Sequence, residues 1–232
     1  MLTPHNLAVL CSKRAPALDA VLPYATCVIT THRTAEIETQ GVPLIRHPIR
    51  VYDDRRVYDA LTVHVLKEMG VQNVLLLGYL YVLTDVMLNA FPNRIFNIHD
   101  SDLTIKRPDG ERKYTGLHST RDAILAGEQE TRSTLHVVTE KVDGGPILSL
   151  SRAYPVAPFV REAAAAGHMD IVKAYAYAQR EWMMRDAWGE MALGLIGGWR
   201  LAVGGGDEEL LAKDPPFALA APRLTSTANQ TP

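Results

Sequence analysis

The stretch DDRRVYDALTVHVLKEMGVQNVLLLG, residues 53–78, decides the fold. Asp53-Asp54 can cap a helix, and the pattern behind it runs to Met69 with Val57, Leu61, Val65 and Met69 on one face. Gly70 closes it. Residues 73–78 then carry four apolar residues in a row, as a strand buried on both faces requires. Helix followed by buried strand is half of a βαβ unit, and the alternation continues on both sides. Upstream, strands are predicted at Leu7–Cys11, 25–30 and 43–47, with a short helix at 17–22 stopped by Pro23. Downstream, strands are predicted at 94–98, 133–139 and 147–154, with a helix at 120–126 ended by Gly127. One long helix, rich in Ala, Met and Trp, spans 169 to about 195. The expected fold is α/β: a single doubly wound, mostly parallel sheet of Rossmann type, with a long C-terminal helix and an irregular tail.

The 232 residues suit one domain, 1–196, followed by a Gly/Pro-rich extension, 197–232, expected to be partly disordered. Apolar residues make up 47% and charged residues 22%, ordinary for a globular chain. A net charge of -2 gives no reason to expect nucleic acid as a partner. The longest apolar stretch, 74–83, falls short of the roughly 20 residues a membrane helix needs, so no membrane partner is expected. Residues 1–10 have no basic region of a signal peptide. Cys11 and Cys27 sit singly in apolar segments, as buried free thiols do. Together these features predict a cytoplasmic protein. No P-loop, no G-x-G-x-x-G after the first strand, no G-x-S-x-G and no H-E-x-x-H occur.

Two polar clusters follow strand ends, where such a sheet keeps its chemistry. In FNIHDSD, residues 96–102, period-two alternation puts Asn97 and His99 on one side. In VDGGP, residues 142–146, the glycines let the backbone turn sharply or meet a ligand closely. An amide, an imidazole and a carboxylate can together run acyl transfer. No ligand-spacing pattern for a metal is present, and none is expected. His136, alternating inside an apolar strand, reads as structural. The stripe Trp182, Met183, Met184, Trp188 and Met191 reads as core or subunit interface; were it exposed, it would make a homodimer.

The segments LLLGYLYVLTDVMLNAFPNRIFNIHDSDL (75–103) and YTGLHSTRDAILAGEQETRSTLHVVTEKVDGGPIL (114–148) resemble the folate-dependent formyltransferase family, over about residues 5–190. The resemblance implies transfer of a formyl group from 10-formyltetrahydrofolate to the amine of a small molecule. It implies Asn97 and protonated His99 as holders of the oxyanion and Asp143 as their charged partner and proton acceptor. Gly78, Tyr81, Val82, Leu83, Thr139 and Val142 are implied to hold the pterin of the donor, which serves as cofactor. Where the family has a glycine-rich phosphate loop, this chain has Ser12-Lys13-Arg14. Where the family reads N-I-H-P-S-L-L-P, it has N-I-H-D-S-D-L-T. Residues 105–113, IKRPDGERK, look inserted. These differences make Ser12, Lys13, Asp100, Asp102 and Arg107 the expected acceptor contacts, with Glu181 added by resemblance. The acceptor is accordingly expected not to be glycinamide ribonucleotide but an amino sugar or modified amino acid of a biosynthetic pathway. The alternatives are a formyltetrahydrofolate hydrolase and a non-catalytic folate- or nucleotide-binding relative.

Overall fold

The computed structural model describes residues 6–197. Its strands are β1 (Leu7–Cys11), β2 (Ala25–Thr30), β3 (Leu44–Arg46), β4 (Asn73–Leu76), β5 (Ile95–His99), β6 (Glu130–Thr131), β7 (Thr134–Val137), β8 (Ile147–Leu150) and β9 (Tyr154–Pro155). The helices are α1 (Leu18–Val21), α2 (Arg55–Glu68), α3 (Asp85–Ala90), α4 (Ser119–Leu125), α5 (Pro158–Ala165) and α6 (Met169–Ile196). Seven strands form one sheet in the order β3-β2-β1-β4-β5-β7-β8, and β6 with β9 forms a small ribbon. The first five strands of that order pair in parallel; β5–β7 and β7–β8 are antiparallel. The chain winds outward from β1 in both directions, so the carboxyl ends of β1 and β4 meet at a switch point, where such sheets open a crevice.

Alternation along β1 fills both faces. Leu7, Val9 and Cys11 pack with Met183, Met184, Trp188 and Met191 of α6, whereas Ala8 and Leu10 pack with Leu66, Met87 and Phe91 from α2 and the α3 region. The Met/Trp stripe is therefore core, apart from Trp182, which is 42% exposed. Burial pushes the thiols of Cys11 and Cys27 up to about 12 and about 11.

Helix α2 begins as expected: the Asp54 carboxylate accepts the Arg56 N–H at 2.8 Å. The face it buries differs. Tyr58, Asp59, Thr62 and Leu66 point inward, while Val57 and Leu61 stay exposed. Counting apolar residues missed this because two of the buried polar side chains, Asp59 and Thr62, are satisfied. Thr62 donates to the Tyr58 carbonyl and contacts His47, and Asp59 accepts both the N–H and the hydroxyl of Thr84 at 2.7 Å. Asp59 thereby ties α2 to the segment entering α3. Apart from Gly197, the 197–232 extension lies outside the described residues. Among the described residues, no helix is long and apolar enough to cross a membrane.

Candidate active site

Strand β5 carries Asn97 and His99, both facing one cleft of about 240 Å³ beyond the sheet's carboxyl edge. Antiparallel pairing with β7 sets His136 directly opposite Asn97. The register brings Asn97 Nδ2 within 3.2 Å of His136 Nε2, and the Val137 carbonyl lies 2.9 Å from His136 Nδ1. His99 Nε2 is 3.2 Å from the Tyr114 carbonyl, while its Nδ1 is 3.6 Å from Asp143 Oδ2 and 4.0 Å from Asp100 Oδ1.

Asp143 sits in the turn after β7, with φ at 51°. Its Oδ2 accepts the Gly116 N–H at 2.8 Å, and its Oδ1 is 3.6 Å from His136 Nε2. Burial alone would raise its pKa. The nearby His136 ring, the charge of His99 and the Gly116 N–H outweigh that and hold the carboxyl at about 2. The sign of the linkage follows: a lowered carboxyl stabilises the fold above its unfolded value near 4, and the contribution is lost as pH falls toward 2. At neutral pH this amounts to about 2 kcal/mol. Urea denaturation of the wild type and Asp143→Asn is expected to show a wild-type advantage at neutral pH that shrinks by about half near pH 3. An advantage that grows on acidification contradicts the assignment.

The cleft has two walls. One is the segment after β4, with Gly78, Tyr81, Val82 and Leu83; the other carries Thr139, Val142 and Asp143. Gly78 has φ at 69°, and a Cβ there would meet the Arg14 carbonyl at 2.9 Å. The Val82 carbonyl accepts an N–H of Arg55, whose guanidinium lies over the Tyr81 ring, so the first wall is anchored on α2. All three expected catalytic residues and all six expected donor contacts thus border one cavity. Among the described residues, no group of three or more His, Cys, Asp or Glu side chains could hold a metal ion.

A family profile described as formyl transferase matches residues 6–163. The chain is a member of the formyl transferase family. The phosphoribosylglycinamide formyltransferase of Escherichia coli (strain K12) is 32% identical over 97 residues, which is 42% of this chain and 42% of the relative. The same enzyme of Haemophilus influenzae is 38% identical over 93 residues, 40% of each chain. These matches span less than half the length of the curated relatives. Glycinamide ribonucleotide transformylase 1 from Symbiobacterium toebii superposes with a TM-score of 0.58 at 30% identity, covering 75% of this chain and 85% of that one. The family match takes in Asn97, His99, His136 and Asp143 but ends before α6.

The expected acceptor residues are dispersed. Ser12 is buried, its hydroxyl accepting the Leu80 N–H at 3.0 Å and its own N–H given to the Gly78 carbonyl. Lys13 is exposed and Glu181 is bound by both arms of Arg14; neither lines the cleft. Asp102 turns back to Thr104 and lies 3.7 Å from Arg132. Arg107 lines a separate cavity formed by the inserted hairpin on the far side of Asp143. Of the six, Asp100 alone borders the cleft, and its carboxylate is taken by Arg180 and Ser119. A buried acid needs a counter-charge, and Arg180 of α6 supplies it.

Four contributors escaped the sequence reading. His136 is wedged between Asn97 and Asp143, and Arg180 lines the cleft. Gly116 and Tyr114 act through backbone atoms, for which a side-chain pattern holds no signal. His136 had one: it lies on the strand that leads into the D-G-G-P turn.

Proposed function

We propose that the chain transfers a formyl group from 10-formyltetrahydrofolate to the amine of a small acceptor other than glycinamide ribonucleotide. The observation that carries this is the convergence of Asn97, His99 and Asp143 under the 78–83 wall in one cleft. The pterin would lie between that wall and Thr139–Val142. The neutral amine adds to the formyl carbon, and the tetrahedral oxyanion takes an N–H from Asn97, whose amide has a second hydrogen beyond the one near His136. His99 supplies the second donor, turning an N–H now given to the Tyr114 carbonyl. A carboxylate held at about 2 is a weak base. Asp143 therefore acts mainly by charge, stabilising the imidazolium and the nitrogen that becomes positive on attack. The amine proton travels through water to N10 of the leaving tetrahydrofolate.

The names of the relatives favour a second reading, glycinamide ribonucleotide as acceptor. Against it stands the first loop: Ser12 is spent on Gly78 and Leu80, and Arg14 is locked to Glu181. An amino sugar or modified amino acid, approaching by the Arg180–Asp100 pair, suits that polar end of the cleft. The test is tetrahydrofolate formation with purified protein, 10-formyltetrahydrofolate and a panel of amines that includes glycinamide ribonucleotide. Turnover with another amine supports the proposal; turnover with glycinamide ribonucleotide alone supports the second reading. Turnover without any amine makes the chain a hydrolase, and folate binding without turnover makes it a non-catalytic relative. Asn97→Ala is expected to lower kcat by about 10²–10³, since one oxyanion donor is worth about 3 kcal/mol.

A further inference from the structure

We propose that the hairpin of residues 105–113 is a brace for the catalytic turn, and that Arg112 is its positioning residue. Asp143 has a problem to solve. It holds a left-handed conformation disfavoured for a residue with a Cβ, and it must still aim its carboxylate at two histidines. Its backbone is held from outside the site. One guanidinium arm of Arg112 donates to the Asp143 carbonyl, and the other donates to the Gly145 carbonyl at 2.8 Å. A planar fork that spans two carbonyls fixes both distance and orientation. Burial lowers the Arg112 pKa and the charge of Asp143 raises it, so this cation is partly withdrawn from water to make the contact.

The hairpin is stiff enough to act as a brace. Arg107 N–H donates to the Glu111 carbonyl at 2.7 Å, Gly110 N–H to the Arg107 carbonyl at 2.9 Å, and Lys113 N–H to the Ile105 carbonyl at 2.9 Å. Lys106 and Arg112 face each other across it as an antiparallel bridge. A second strut, the Glu111–Lys141 ion pair, ties its tip to the same turn. Its base leads straight to Tyr114, whose carbonyl accepts from Ser101 at 2.6 Å and lies 3.2 Å from His99 Nε2. One inserted element thus holds the backbone of Asp143 at one end and the ring of His99 at the other.

The activity arm of the test rests on the formyl-transfer reading; the exchange arm does not. Arg112→Met is expected to lower kcat on the order of 10- to 100-fold with the acceptor KM nearly unchanged, because small misplacements of a catalytic group cost that much. Guanidinium chloride at a non-denaturing concentration should restore part of the rate, sodium chloride of equal strength none, and Arg112→Lys should lie between. Without substrates, amide exchange of Gly116, whose N–H is held by the Asp143 carboxylate, should quicken about ten-fold. Unchanged Gly116 exchange overturns the proposal, whatever the activity. So does an unaltered kcat in an active enzyme, or a lowered kcat that neither guanidinium nor lysine recovers. If the Met variant does not fold, Gly116 exchange in Arg112→Lys decides on the same criterion.

Discussion

His99→Ala is expected to lower the rate of formyl transfer by about 10³-fold, with the protein still folded. The ring makes one hydrogen-bond contact to the Tyr114 carbonyl and faces two carboxylates, Asp143 and Asp100. On the proposed mechanism its removal takes away one of the two donors to the oxyanion. Asp100 keeps Arg180, and Asp143 keeps Gly116 and His136, so neither acid is stranded. The charge of His99 helps to lower the Asp143 pKa, so that carboxyl should titrate higher in the variant. Steady-state formation of tetrahydrofolate, with near-ultraviolet circular dichroism as a check on folding, measures the effect. A folded His99→Ala protein within ten-fold of wild type would sink the catalytic assignment.

Gly145→Ala is expected to destabilise the fold by about 3 kcal/mol, a large effect for one methyl group. A Cβ at this position would lie 1.9 Å from the Val137 carbonyl oxygen and 2.9 Å from the Thr139 side chain. The first is backbone and cannot swing aside. Val137 is held on one flank by pairing with Phe96 of β5 and on the other by its N–H to the Pro146 carbonyl. The turn must therefore lift away from β7, carrying Asp143 from His99 and His136 and opening the wall formed by Thr139 and Val142. Urea denaturation reads the first consequence; weaker binding of a non-reactive folate analogue reads the second. Stability equal to wild type would show that the turn relaxes without cost and that the close approach is not required.

Much of the fold was legible because its signals are local. The cap at Asp54, the stop at Gly70 and the apolar run through β4 each follow from a few neighbouring residues, and 25–30 was read to the residue. Helices α3 and α5 were not singled out, whereas the equally short α1 and α4 were, being marked by Pro23 and Gly127. The buried face of α2 was misread because Tyr58, Asp59 and Thr62 look polar until their partners on other segments are known. The site divides in the same way. Asn97 and His99 share a strand, so alternation alone places them together. His136 joins them only because β7 runs antiparallel beside β5, a pairing that no pattern within 133–139 announces. Asp100 and Arg180 are eighty positions apart in sequence, and an acid expected to face the acceptor is paired with a cation from the last helix.

Ser12 has a wider meaning than its burial suggests. It gives its N–H to Gly78 and receives that of Leu80, so the loop after β1 and the wall beside the cleft are tied by two hydrogen bonds. An occupant that shifts the loop must change the wall's affinity for its own ligand, and thermodynamic reciprocity makes the reverse effect equal in size. Two molecules that never touch would then sense each other through a single serine.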